Sequence, residues 1–194
     1  VNPVGPYYEG NEILSINLNI TNFDRVPTNG IGHVKAVGNY AGGLYVVKEA
    51  REKGADEALY LDPVQHEFFE ETNSSNILFL IDGKVVTPDS QSILPSITKD
   101  SILTIAAQEL GLETEVRRVS VSELDNCDEI AVCGTAVSLA QVHKIRKGDD
   151  WLTFKQGQEA SVFPKLYKIY NDLITGNITD ANQWTHEVPE TVQV

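Results

Sequence analysis

The sequence contains no methionine and only two cysteines, Cys127 and Cys133, among 194 residues. So few cysteines exclude a disulfide scaffold and any four-cysteine zinc module. Uncharged apolar runs stay far short of the roughly 20 residues that a membrane-spanning helix needs, so no membrane attachment is expected. No basic start followed by an apolar core opens the chain, so no signal peptide is read. Basic residues are scarce: 15 Lys and Arg stand against 28 Asp and Glu, a formal charge of -13. That balance repels a phosphate backbone, so nucleic acid is not an expected partner. Without Met, the opening Val1-Asn2-Pro3-Val4-Gly5 reads either as a trimmed start or as a cut within a longer chain. What is present is ordinary globular composition, 41% hydrophobic and 22% charged. It points to an acidic, soluble, cytoplasmic protein of one domain with some chain left over.

Periodicity and punctuation give the outline. Leu14 to Ile20 alternates apolar and polar, the pattern of a half-buried strand. Pro27-Thr28-Asn29-Gly30 breaks the chain and reads as a linker. A helix is predicted over 39–53, with Leu44, Val47 and Ala50 on one face and Gly54 as the stop. Strands are predicted over 58–61, 76–81 and 84–87, the last two joined by the hairpin dipeptide Asp82-Gly83. A helix over 98–110 has Thr98 as candidate N-cap and Gly111 as C-terminal stop. Strands over 115–121, 129–133 and 151–154, a helical turn at 122–124 and a helix over 162–175 complete the reading. Strands and helices mix without strict alternation, so an α+β fold is expected rather than a doubly wound sheet.

Few segments carry chemistry. Gly30-Ile31-Gly32-His33-Val34-Lys35 lacks the third glycine of a dinucleotide fingerprint, and no strand runs into it. His33, His66, His143 and His186 show no ligand spacing, so no metal is expected. Cys127 and Cys133 are six residues apart, outside any CxxC arrangement, and read as core or near-surface thiols. Three Asn-x-Ser/Thr matches read as chance. Lys35 lies among small and apolar residues, Val34, Ala36, Val37 and Gly38, just ahead of a predicted helix. It reads either as a solvated surface lysine or as a desolvated one able to form a Schiff base with an aldehyde. Three other segments would suit an aldehyde cofactor bearing a phosphate. Glu70-Glu71-Thr72-Asn73-Ser74-Ser75-Asn76 places carboxylates beside small polar residues. Leu94-Pro95-Ser96-Ile97-Thr98 offers free backbone amides at a helix start. Cys133-Gly134-Thr135-Ala136 offers a glycine-opened turn with a hydroxyl.

In order and spacing, Lys35-Ala36-Val37-Gly38-Asn39-Tyr40, Glu70-Glu71 through Asn76, Leu94-Pro95-Ser96-Ile97-Thr98 and Gly134-Thr135-Ala136 resemble the branched-chain aminotransferases. The resemblance runs from about residue 30 to 184 and implies the larger, C-terminal domain of a fold-type IV pyridoxal-phosphate enzyme. That domain is an α+β unit, a mixed, barrel-like sheet core with flanking helices. The implied layout is 1–29 as the remnant of a small N-terminal domain and linker, and 30–194 as the cofactor-binding large domain. By the same resemblance Lys35 would carry pyridoxal 5'-phosphate as a Schiff base and shuttle protons. Tyr40 would hydrogen-bond the cofactor's phenolic oxygen. Glu71 would accept from the pyridine nitrogen and keep the ring an electron sink. Ile97, Thr98 and Thr135 would hold the phosphate, and Ala136 would sit where backbone amides meet the substrate carboxylate. Glu70 would face solvent.

The sequence departs from the family pattern at named places. Val37 stands where a second glycine is usual and is expected to crowd the loop beside the cofactor. Ser96 replaces the glycine of Leu-Pro-Gly-Ile-Thr. Val137 and Ala140 stand where some animal members carry a redox CxxC pair. Residues 1–10 resemble the end of the small domain, most of which, including a phosphate-contacting arginine, has no counterpart here. The expected activity of the parent protein is transfer of an amino group between Leu, Ile or Val and the 2-oxo acid 2-oxoglutarate, by a homodimer. A D-amino-acid aminotransferase or an aminodeoxychorismate lyase is the alternative within the fold. Gly38-Asn39-Tyr40 favours the branched-chain type, since those relatives usually carry Leu-Asn there. A non-catalytic fragment is the alternative outside it, and the isolated chain is expected to be inactive.

Overall fold

The structure, a computed structural model, describes residues 13–157 and 159–186. The segment 1–10, matched above to the end of a small domain, lies outside the described residues. In chain order the elements are β1 (Leu14–Ile20), α1 (Gly38–Ala41), α2 (Gly43–Glu52), β2 (Glu57–Leu61), β3 (Phe69–Thr72), β4 (Asn76–Ile81) and β5 (Lys84–Pro88). They continue with α3 (Ile97–Leu110), β6 (Thr114–Arg117), a 3-10 turn (Val121–Asn126), β7 (Cys127–Gly134), β8 (Ser138–Lys147), β9 (Asp150–Thr153) and α4 (Phe163–Ile174).

The strands make one mixed sheet in the order β3-β2-β1-β8-β7-β4-β5-β6, with β9 pairing β8. It curls until its ends meet: Phe69 N–H donates to Val119 O, and Val121 N–H donates to Glu67 O. Those two bonds tie the β3 edge to the chain leaving β6. The result is the α+β core expected from the element pattern, with the barrel-like sheet that the family resemblance implies.

Curling explains why the middle strands are buried on both faces. Along β4, Ile77, Phe79 and Ile81 join Ile16, Leu18, Leu59, Phe69, Ile130 and Val132 in the inner core. Leu78 and Leu80 point the other way, to Ile102, Leu103, Ala106, Phe163 and Leu166 of α3 and α4. A strand sandwiched in this way loses its polar face, so it reads as a continuous apolar run. Asp82 and Gly83 both have positive φ, 51° and 75°, the geometry a two-residue hairpin requires.

Several expectations are corrected. Helix 39–53 is broken at Gly42 into α1 and α2. The buried side of α2 is Gly43, Val46 and Ala50, while Leu44 is 74% exposed. Gly43 sets this face, because a Cβ there would overlap the Asn73 side chain. The N-cap of α3 is Ser96, whose side chain accepts from Lys99 N–H at 3.2 Å, and Thr98 lies inside the first turn. Strand 115–121 stops at Arg117. Strands β3 and β8 were absent from the sequence reading. Residues 14–20, assigned above to the 1–29 segment, form an inner strand between β2 and β8. Ile16 and Leu18 complete the inner core.

Candidate active site

The acidic end of the site is built on β3. Glu71 is buried, and its Oε1 accepts from Leu94 N–H at 3.2 Å and lies 2.9 Å from Arg25 Nη2. Its Oε2 accepts from Asn76 Nδ2 at 2.9 Å. A carboxylate has about four lone-pair sites. Oε1 is occupied by the backbone amide and the guanidinium, whereas Oε2 has one partner and keeps room for another donor. Burial raises the Glu71 pKa to about 7, against the pull of Arg25.

Glu70 does not face solvent. It is 2% exposed and accepts from Ser90 Oγ at 2.9 Å, and burial raises its pKa. Two adjacent buried carboxylates are tolerated because Arg25 lies close to both, lowering the pKa of each. The guanidinium also donates to Gly32 O at 3.1 Å and to Ser92 O.

Lys35, on the turn that leads into α1, stands beside Tyr40 of α1 itself. Lys35 Nζ is 5.5 Å from the Tyr40 ring centroid, within the range of cation–π attraction. Asn39 fixes the loop around the lysine: its Nδ2 donates at 2.9 Å to both Ile31 O and Val34 O. Among the described residues Lys35 is exposed, so the surroundings of this chain supply the solvated environment, the blander of its two sequence readings. Val37 is 87% exposed and crowds no described residue.

The candidate anion site from the sequence falls at the start of α3. Ile97, 87% exposed, and buried Thr98 occupy the first two helical positions, where backbone N–H groups have no intrahelical acceptor. Aligned peptide dipoles make such an end attractive to a phosphate. Ser96 engages the third amide, that of Lys99, and leaves one donor fewer for an anion. Thr135 and Ala136 lie exposed in the turn between β7 and β8. The pairing of Asn76 with Cys133 brings that turn beside the 72–75 turn. A Cβ on Gly134 would lie 3.8 Å from both Ser74 O and Ser75 Oγ. Ala136, Ser74 and Ser75 line one small cavity of about 120 Å³.

The structure thus joins Glu71 directly to the loop that opens α3, through Leu94 N–H and through Asn76, which also donates to Leu94 O at 3.2 Å. Arg25 links the same carboxylate to the loop carrying Lys35. Sequence reasoning missed Arg25, Asn39 and the bridging part played by Asn76. The one available signal was the pair Glu70-Glu71 within a strand-like run, which needs a buried cation.

Comparison with known proteins now decides the family. A profile described as Amino-transferase class IV matches residues 3–145. The chain belongs to the class IV amino-transferase family. Over 198 aligned positions it is 36% identical to a Staphylococcus epidermidis protein named "Probable branched-chain-amino-acid aminotransferase", covering 98% of this chain and 55% of that one. The branched-chain amino acid aminotransferase of Escherichia coli superposes with a TM-score of 0.80 at 30% identity, over 94% of this chain and 59% of that chain. The Thermobaculum terrenum enzyme in its PLP form gives 0.77 at 30% identity, over 86% and 53%. The class IV chain described here spans about half the length of the curated relatives it matches.

Proposed function

We propose that the whole protein to which this chain belongs is a branched-chain-type aminotransferase. It moves an amino group between Leu, Ile or Val and 2-oxoglutarate with pyridoxal 5'-phosphate, in the cytoplasm and as a homodimer. The observation that carries the reading is Glu71. It is a buried acid with one open acceptor position, held by named donors in a chain of this family. An acceptor of that kind suits a protonated ring nitrogen. When bound, the cofactor would supply an electron sink at the substrate's α-carbon.

This chain's residues divide the remaining work. Lys35 provides the amine that holds the cofactor's aldehyde carbon and moves a proton. Tyr40, beside it, donates to the phenolic oxygen. Glu71 keeps a proton on the ring nitrogen. Ile97 and Thr98 receive the phosphate on their free amides, and Thr135 adds a hydroxyl from the turn between β7 and β8. Ala136 places its backbone amide toward the substrate carboxylate. The apolar side chains left exposed around Lys35, Ile31, Val34, Val37, Leu44 and Tyr45, support a covering domain and a second subunit over this face. We place the boundary between the small and large domains ahead of β1 rather than after residue 29.

The test is an assay of the full-length protein with L-Leu, L-Ile and L-Val as donors and 2-oxoglutarate as acceptor, beside the corresponding D-amino acids. Turnover with the L-amino acids is expected. Turnover with D-amino acids alone would transfer the reading to the D-amino-acid branch of the fold.

A further inference from the structure

One buried guanidinium stands where three site segments meet. Arg25 lies on the chain leaving β1, with a side chain 2% exposed. It pairs with Glu71 Oε1 at 2.9 Å, donates to Gly32 O three residues before Lys35, and donates to Ser92 O on the loop entering α3. The space it occupies is reserved for it. A Cβ on Gly32 would come within 2.8 Å of Arg25 Nη2 and of Val26 Cγ2, and would overlap Ser92 O. A glycine is therefore required at 32 for the arginine to reach both carbonyls. A structural staple alone would need only the two carbonyl bonds, whereas this group is also aimed at a carboxylate.

We propose that Arg25 is the positioning residue of the proposed transamination, holding Glu71 charged and aimed while fixing the Lys35 loop and the α3 loop in register with it. The proposal rests on the functional reading above. Its physical basis is that an isolated buried carboxylate takes up a proton instead of staying charged. A protonated Glu71 would offer the ring nitrogen a hydrogen-bond donor instead of an acceptor. The charged groups facing Glu71 are Arg25, Glu70 beside it on β3 and Lys99 on α3, and of these Arg25 lowers its pKa most. Glu70 acts in the opposite sense, so the arginine is what keeps the pair from neutralising. Lysine would keep the charge, but its stem is one bond shorter than the path to Arg25 Nη2, the nitrogen that makes all three contacts, so its ammonium would reach fewer of them.

The test uses the full-length protein and three variants, Arg25→Lys, Arg25→Gln and Glu71→Gln, with the double variant of the last two. The first readout needs no cofactor: the titration of the Glu71 carboxyl by carbon NMR, assigned by its loss in Glu71→Gln. The midpoint is expected to rise in Arg25→Gln and to rise less in Arg25→Lys. The second is equilibrium binding of pyridoxal 5'-phosphate, expected to weaken on the order of tenfold in Arg25→Gln, the range of one charge-assisted hydrogen bond. Arg25→Lys should recover part of that loss. Adding Arg25→Gln to Glu71→Gln should cost under about twofold more, because residues acting through one another are not additive. An unmoved Glu71 midpoint, or losses that multiply in the double variant, would overturn the assignment. Should Arg25→Gln fail to fold, Arg25→Lys against wild type decides it by the same midpoint. Failure of the wild-type protein to take up pyridoxal 5'-phosphate would overturn the functional reading and this assignment with it. Uptake by wild type with an unmoved midpoint in the variants overturns the Arg25 assignment alone.

Discussion

Asn76 bridges Glu71 and the backbone that opens α3: its amide nitrogen lies 2.9 Å from Glu71 Oε2 and 3.2 Å from Leu94 O. One side-chain amide on the first residue of β4 thus connects the acid on β3 to the loop leading into α3. Asn76→Leu removes both bonds and leaves buried acceptors without a donor. Loss of about 1–3 kcal/mol of folding stability is expected for such a buried group, measured by chemical denaturation of the full-length protein. Wild-type stability in that variant would show that the bridge has no structural weight.

Glu71 also makes stability depend on pH. Its folded pKa, about 7, lies above the ordinary 4.5, and that of Glu70 is raised as well. A raised carboxyl binds its proton more tightly in the folded state than in the unfolded one. Its contribution is therefore fully present below the unfolded pKa and is lost as pH rises from about 4.5 to 7. Denaturation curves across that window should fall less steeply for Glu71→Gln than for wild type. An identical slope in the two proteins would contradict the burial assigned to this side chain.

Kinetically, Glu71→Gln should slow turnover by on the order of tenfold to a hundredfold, each ~1.4 kcal/mol being a factor of ten. The carboxamide keeps the shape of the side chain but loses the charge that holds a ring proton. Cofactor should remain bound, as the absorbance of the loaded variant would show. Unchanged turnover would transfer the role to another acid, and Glu70, with an oxygen lacking any described partner, is the one to test next.

The Ser96 cap makes a separate expectation. Glycine at an N-cap costs only a few tenths of a kcal/mol relative to serine. Ser96→Gly should therefore leave thermal stability almost unchanged while freeing the Lys99 amide that Ser96 Oγ now occupies. Tighter binding of pyridoxal 5'-phosphate is the expected result, read by fluorescence titration. Weaker binding would mean that the serine hydroxyl itself holds the phosphate.

How much of this was legible beforehand depends on the element. Hairpin β4–β5 and the α3 stop at Gly111 were plain because turn chemistry marks them, with φ of 64° at Gly111 where glycine fits without strain. Strand β8 was hidden by a bulge: Ile16 pairs with Val142 and Asn17 with Lys144, so His143 is extra. That insertion puts Val142 and Ile145, three positions apart, on the same core and breaks the period of two. Strand β3 was hidden by its glutamates, whose burial depends on Arg25, a partner far along the sequence. Glu71 was legible only as part of a family pattern, and nothing local distinguished it from Glu70. Lys35 stood out by its neighbours, but its exposure on this chain was not visible in them.

The exposure of Lys35 bears on the 194-residue chain alone. Closure over such a residue excludes water and orients substrate, and we propose that the rest of the full-length protein supplies it. The isolated chain should turn over Leu and 2-oxoglutarate at well under about 1% of a median enzyme's roughly 10 per second. A rate near that median would show that nothing beyond this chain is needed.

The most direct test of the central claim is chemical. The full-length protein is loaded with pyridoxal 5'-phosphate, reduced with borohydride and digested, and the modified peptide is identified by mass. The covalent adduct is expected on Lys35. An adduct on Lys99, which lies near enough to Glu71 to lower its pKa, or on Lys48 of α2, would contradict the assignment on which the whole site is built.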